Sequence, residues 1–180
     1  MSDFYKVISK GCFNSLFQKT KNMHDQHHIY MREAIRLSQE GMTKGAGGPF
    51  GCVIVKDGEI VGSGHNQVTS TNDPTAHAEV VAIRDACARL GTFQLTGCVV
   101  YTSCEPCPMC LGAIYWARPE KIYFANARKD AADIDFDDDF IYQEIGLDVA
   151  TRSIPSEQIL RDEGNKVFQL WREVGDKTLY

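Results

Sequence analysis

The hydrophobic and polar positions of this chain change their period several times along its length. Residues 27–44 repeat apolar side chains at helical spacing, and the glycine-rich run 45–49 ends that predicted helix. Two β-rich runs then flank Asp57-Gly58, a dipeptide typical of tight hairpins. The pattern therefore predicts a helix followed by a β-hairpin that extends to about Asn66.

Helices and strands alternate after the hairpin. Residues 77–90 predict a helix with Thr75 as its N-cap, and residues 98–103 predict a short strand. A second helix is predicted over residues 108–117, and a further strand over residues 121–125. This order predicts an α/β fold whose mixed sheet is covered by helices on both faces.

The C-terminal third combines an acidic run with an apolar helical stripe. Residues 129–139 contain six aspartates, a composition typical of a solvated loop. Their spacing partly matches a calcium loop, but Asp138 stands where such a loop needs glycine for its sharp turn. The apolar stripe over residues 167–174 ends at Gly175 and indicates packing in a core or an interface.

Composition narrows the classes of function. A chain of 180 residues predicts one domain, here residues 27–180, preceded by an extension over residues 1–26. The net charge of −5 argues against a protein that mainly binds nucleic acid, and no apolar run predicts a membrane span. Without a secretory signal, the seven cysteines favour thiols or metal ligands over disulfides and indicate a cytoplasmic location.

Four residues from two predicted helix N-termini carry the candidate chemistry. His77 and Glu79 open one helix, and Cys107 and Cys110 open the next within Pro-Cys-Pro-Met-Cys. One imidazole and two thiolates can hold a zinc ion and leave its fourth position open for catalysis. We therefore predict His77, Cys107 and Cys110 as ligands of one Zn²⁺, with Glu79 as the neighbouring acid-base catalyst.

Each half of this set has other interpretations. A lone His-x-Glu is most often an ordinary surface or core pair. Cys-x-x-Cys between a strand and a helix also suits a thioredoxin-like redox pair, and Cys104, Cys107 and Cys110 resemble an iron–sulfur run. The combination of His-x-Glu with Pro-Cys-x-x-Cys is instead typical of zinc deaminases. Cys104 is then left over, because three protein ligands already complete a catalytic zinc site.

With these motifs in view, the chain resembles the cytidine-deaminase-like superfamily, and within it the bacterial type of guanine deaminase. The resemblance covers residues 27–180 and includes the segments 47–51, 72–79 and 101–119 together with Phe136-Asp-Asp and Tyr180. It implies a three-layer α/β/α sandwich with a mixed five-stranded sheet. It also implies a homodimer in which a C-terminal segment of about residues 155–180 crosses to the partner.

The resemblance also assigns roles at the site. It implies that Asn66 hydrogen-bonds a purine base and that Asp138 lies against the leaving amino group. The implied walls and cover of the base-binding pocket are Phe50, His77, Ala78, Trp116 and Tyr180.

The predicted reaction is hydrolysis of guanine to xanthine and ammonia, a step of purine catabolism. A guanosine deaminase is the nearest alternative, since it differs only in room for a ribose. A transfer RNA adenosine deaminase would need a basic channel that this acidic chain lacks. A metal-binding module without catalysis would have no use for Glu79.

Overall fold

The computed structural model describes residues 25–180, and residues 25–43 form the first helix, α1. The predicted extension therefore lies outside the described residues, apart from residues 25 and 26, which are helical. The elements that follow are β1 (Gly51–Lys56), β2 (Glu59–His65), α2 (Val68–Thr71), α3 (Ala78–Leu90), β3 (Cys98–Cys104), α4 (Pro108–Ala117), β4 (Lys121–Asn126), α5 (Arg128–Ala132), α6 (Asp139–Gly146), a 3-10 turn (Val149–Thr151) and α7 (Arg161–Glu173).

The strands form one mixed sheet in the order β2-β1-β3-β4. Strand β1 is antiparallel to both β2 and β3, and β3 is parallel to β4. Asp57 and Gly58 join β1 to β2 with positive φ angles of 50° and 86°, the conformation that a two-residue hairpin turn requires. The predicted hairpin and the mixed sheet are confirmed.

The prediction of five strands is wrong for the described residues, which contain four. After β4 the chain enters the acidic run, where neighbouring carboxylates repel and β-branched residues are few. Residues 133–138 of this run form a mostly exposed turn and loop, as the composition predicted, while the run begins in the short helix α5 and ends at the start of α6.

Helices cover both faces of the sheet, as predicted. Cys52 and Ile54 of β1 point into a core shared with α3 and α4. Val53 and Val55 point to the opposite face and pack with Ala34 of α1. Because side chains alternate across a strand, one apolar run supplies both cores. Among residues 25–180, no helix is both long and apolar enough to cross a membrane.

Helix α3 lies unusually close to β2 because both surfaces consist of small residues. A Cβ atom added to Gly62 would lie 2.6 Å from the carbonyl oxygen of Ala82 and from the Cβ of Ala86. At Gly64 an added Cβ would lie 2.6 Å from the carbonyl oxygen of Ala78. This close contact fixes the start of α3, and with it the candidate site, against the sheet.

We expect Gly62→Ala to lower the free energy of unfolding by about 1–3 kcal/mol, because the added methyl overpacks a rigid backbone contact. Gly112 in α4 is the matched control, since a Cβ there meets no atom within 4 Å. Gly112→Ala should leave stability equal or raise it by up to about 1 kcal/mol. Urea unfolding of both variants checks this, and equal stabilities would contradict the contact.

The predicted N-cap of α3 is wrong. His77 occupies that position, whereas the hydroxyl of Thr75 donates to the Asp73 carboxylate at 2.7 Å. The Asp73 side chain also accepts from the backbone N–H of Thr75, so the Thr75 hydroxyl and N–H both stabilise the turn before α3 and do not cap the helix. The backbone of His77 is extended, and its ring lies beside Cys107 and Cys110 at the start of α4.

Candidate metal centre and active site

Two helix N-termini bring the predicted metal ligands together. His77 is the N-cap of α3 and Cys107 is the N-cap of α4, and both have extended backbone conformations. Pro108 occupies the first turn of α4, where its missing N–H costs no helical hydrogen bond. Cys110 then lies three residues beyond Cys107 and points to the same side.

The distances among the three side chains match a zinc site. The Nδ1 atom of His77 lies 3.5 Å from the Sγ of Cys107 and 3.5 Å from the Sγ of Cys110. All three donor atoms lie within 4.8 Å of one another. A tetrahedral zinc with bonds of about 2.3 Å to sulfur and about 2.0 Å to nitrogen separates such ligands by about 3.5 Å. The residues therefore fit one zinc ion held by three protein ligands.

The hydrogen bond between the two cysteines shifts their pKa values in opposite directions and raises that of Cys110. A hydrogen bond from the Cys110 thiol lowers the pKa of Cys107 to about 4. The N-terminus of α4 favours the same negative charge. The leftover Cys104 is buried and donates to the carbonyl oxygen of Ala127 at 3.7 Å, and burial raises its pKa to about 11. Cys104 is not among the three clustered donor residues, in agreement with the prediction that it is not a metal ligand.

Glu79 lies in the first turn of α3 beside these ligands and is only 6% exposed. Its Oε1 atom accepts a hydrogen bond of 3.0 Å from the hydroxyl of Thr102 on β3. Burial raises the pKa of the Glu79 carboxyl, with opposing effects from hydrogen bonds that include one to Cys110. A carboxylate held in this way is suited to accept a proton near neutral pH and to return it.

Asn66 follows β2 and is also buried, with 4% of its surface exposed. Its backbone N–H donates to the carbonyl oxygen of Phe50 at 2.9 Å, and its Oδ1 accepts from the backbone N–H of Val68 at 3.1 Å. A Cβ added to Gly47 would lie 2.1 Å from that Oδ1, so only glycine leaves room for the amide. The orientation of the Asn66 side chain is thus fixed before any ligand binds.

Phe50 packs edge-on against Phe136, with ring centroids 5.0 Å apart and an interplanar angle of 88°. The contact joins the chain before β1 to the acidic run. Asp138 is the N-cap of α6, and its burial raises its pKa against the opposing charge of Arg128. The charge of Cys107 also raises the pKa of Asp138.

Of the remaining predicted site residues, Ala78 lies between His77 and Glu79, whereas Trp116 and Tyr180 lie away from the metal ligands. The side chain of Ala78 is fully buried in the core. Trp116 and Tyr180 are 63% and 72% exposed and have ring centroids 6.0 Å apart. They line a cleft of about 640 Å³ with Ile83, Cys87, Phe93, Ala113 and Ala117, none of which is a metal ligand. Trp116 follows Cys110 by six residues, which places it about 9 Å further along α4.

Two residues at the site were not predicted individually. Thr102 orients Glu79, and Phe136 supports Phe50. The signal for Thr102 is a polar pair, Thr102-Ser103, at the end of an otherwise apolar strand. Such residues are buried only when their hydroxyl groups find partners. The Phe136-Asp-Asp segment was part of the resemblance, but that segment gives no contact for the Phe136 ring.

The comparison with known families agrees with this geometry. The cytidine and deoxycytidylate deaminase zinc-binding region matches residues 24–126, a range that contains Glu79 and all three candidate ligands. The chain therefore belongs to this family of zinc-dependent deaminases.

Individual relatives extend the similarity beyond this region. The guanine deaminase of Bacillus subtilis is 54% identical over 154 residues, which are 86% of this chain and 99% of that protein. Its crystal structure matches with a TM-score of 0.83 over 86% of this chain and 98% of that chain. A guanine deaminase structure from Nitrosomonas europaea has 30% identity and a TM-score of 0.58, covering 61% and 63% of the two chains.

A tRNA-specific adenosine deaminase of Aquifex aeolicus is also similar. It is 45% identical over 101 residues, which are 56% of this chain and 64% of that protein.

Proposed function

We propose that this protein is a zinc-dependent guanine deaminase that converts guanine and water to xanthine and ammonia. The observation that carries the reaction class is the buried Glu79 carboxylate beside three donor atoms spaced for zinc. The guanine deaminase of Bacillus subtilis, similar over nearly its whole length, supports guanine as the substrate. The predicted cytoplasmic location stays a prediction.

The protein's own residues divide the proton transfers between them. A zinc ion bound by His77, Cys107 and Cys110 would lower the pKa of a bound water toward neutrality. Glu79 takes a proton from the attacking water and returns it to a ring nitrogen of the base. Thr102 keeps the carboxylate aimed at the site during both transfers, because its hydroxyl donates to Oε1.

Two further groups act on the base itself. The Oδ1 of Asn66 already accepts from Val68, and its amide N–H₂ group donates to the polar edge of the purine. A base without a matching acceptor would leave this buried donor unpaired. Phe50 offers a ring for stacking. The second proton of the attacking water passes through Glu79 or Asp138 to the amino group, which leaves as ammonia. Trp116, Ala78 and Tyr180 keep their predicted places around the base as part of this proposal.

The tRNA-specific relatives support a second candidate function, deamination of adenosine in transfer RNA, less strongly. The chain carries a net charge of −5, whereas a nucleic-acid substrate is bound mainly through positive charge. The similarity to the Aquifex aeolicus enzyme also covers only 56% of the chain. Guanosine remains the nearest alternative substrate, because the same base contacts serve a nucleoside.

Ammonia release from a panel of substrates tests the proposal. The panel contains guanine, guanosine, cytosine, cytidine, adenine and a transfer RNA with an unmodified wobble adenosine. We expect guanine to have the highest kcat/KM, and xanthine to form in amounts equal to the ammonia released. A higher kcat/KM for another member, with guanine inert, would contradict the proposed substrate.

We also propose a homodimer in which residues 155–180 contact the partner. Helix α7 buries none of its residues. The apolar side chains of this helix and its C-cap are all exposed in the single chain, namely Val167, Phe168, Leu170, Trp171 and Val174. An apolar surface of this kind marks a protein interface. The crossing segment would carry Tyr180 toward the partner's site. Sedimentation of the purified protein as a monomer would contradict this arrangement.

A further inference from the structure

The side chain of Arg128 connects the candidate acid Asp138 to its surroundings. Arg128 begins α5, and its Cζ atom lies 4.0 Å from the ring centroid of Tyr142 on α6. Its Nη2 atom lies 3.0 Å from Oδ1 of Asp139, and its Nε lies 3.8 Å from Oδ1 of Asp138. One guanidinium is thus stacked on a ring and paired with two carboxylates.

Arg128 and Tyr142 also contact the Glu105-Pro106 segment, which precedes the metal ligand Cys107. The backbone N–H of Arg128 donates to Oε2 of Glu105 at 3.2 Å. The hydroxyl of Tyr142 donates to the carbonyl oxygen of Pro106 at 3.4 Å. Pro106 is buried and immediately precedes the ligand Cys107. Arg128 and Tyr142 therefore join the N-terminus of α6 to the segment that fixes the metal site.

This connection matters because of where Asp138 lies in the sequence. It is the middle one of three consecutive aspartates, Asp137, Asp138 and Asp139, whose charges repel one another. Without a cation, this repulsion would separate the side chains and move Asp138 away from its place. The planar guanidinium can stack on a ring and bind carboxylates at the same time, which a lysine ammonium cannot do.

We propose that Arg128, stacked on Tyr142, is a positioning residue that holds the Asp138 carboxyl beside the Glu105-Pro106 segment, which leads into the metal ligand Cys107. The inference rests on the proposed role of Asp138 in deamination. Arg128 itself transfers no proton. Its effect on the reaction passes through the placement of Asp138, where a displacement of about 1 Å can cost about 100-fold in rate.

A double-mutant cycle with a charge-matched control tests this proposal. We expect Arg128→Gln to lower kcat by about 10–100-fold while KM changes less than about threefold and zinc content stays at one per chain. Lys129→Gln removes the adjacent positive charge and should leave kcat unchanged. In the Asp138→Asn background, Arg128→Gln should cause no further loss, because the group it positions is already absent.

Two results would overturn the proposal. One is an unchanged kcat in Arg128→Gln, and the other is the same fold-loss from Arg128→Gln in the Asp138→Asn background as in the wild type. The cycle is measured with whichever panel member the enzyme turns over, so a wrong substrate assignment does not affect its outcome. Hydrogen exchange is read in parallel, and residues 136–142 should exchange faster in Arg128→Gln than in Lys129→Gln.

Discussion

Replacing Glu79 with glutamine is expected to lower ammonia release by about 10²–10⁴-fold while zinc content stays at one per chain. The glutamine side chain has nearly the same shape, and its carbonyl oxygen can still accept the hydrogen bond that Thr102 donates at 3.0 Å. It cannot take a proton from water. The loss should therefore fall on kcat, measured by steady-state ammonia release, with zinc measured on the same sample.

Glu59→Gln is the control for this substitution, because Glu59 is an exposed carboxylate at the start of β2. Its activity should equal that of the wild type. A Glu79→Gln enzyme that keeps its rate within about threefold would remove Glu79 from the proton transfers, since general acid-base catalysis contributes about 100-fold or more.

Removal of one metal ligand should have the largest effect of any single substitution. In His77→Ala, only two thiolates remain to bind the ion. In Cys110→Ser, a weakly binding hydroxyl replaces one of those thiolates. We expect zinc content to fall far below one per chain and ammonia release to fall by at least about 10³-fold, because zinc supplies several kcal/mol to such reactions.

Cys104 provides a control within the same motif. Its thiol donates to the carbonyl oxygen of Ala127, and a serine hydroxyl can make the same bond. Cys104→Ser should keep one zinc per chain and most of its activity. Loss of zinc from Cys104→Ser, or full zinc in Cys110→Ser, would contradict the ligand assignment. Metal analysis after dialysis distinguishes these outcomes.

The ligand set could be predicted from the sequence because its geometry is local. Helix spacing alone brings Cys107 and Cys110 to one side, and Pro108 marks the first turn of their helix. The prediction of α4 over residues 108–117 is confirmed without a change of boundary. The approach of His77 to this pair depends on the packing of α3 and α4 on the same face of the sheet, which no local pattern shows. The prediction that His77 joins the pair came from the combination of the two motifs.

Less local features could not be predicted in the same way. The acidic run predicted a solvated loop, which residues 133–138 form, but the short helices α5 and α6 on either side of it were not predicted. The connection from Arg128 to Tyr142 spans fourteen positions in the sequence, and no periodicity indicates it. The number of strands was carried over from the resemblance, and the described residues of this chain contain four.

The surroundings of Trp116 and Tyr180 show a second limit. Both residues were predicted around the purine, but in the single chain they pack against each other away from the ligand cluster. Contacts that depend on a partner chain cannot be read from one sequence. The exposed apolar side of α7 is the feature within the chain that indicates such a partner.

X-ray absorption at the zinc edge tests the central claim most directly. Protein purified with its metal should contain one zinc with two sulfur neighbours at about 2.3 Å and two nitrogen or oxygen neighbours at about 2.0 Å. One of the lighter neighbours would be the imidazole nitrogen of His77, and the other would be a water oxygen in the fourth coordination position. A protein without zinc, or a zinc bound by three or four sulfurs, would contradict the account.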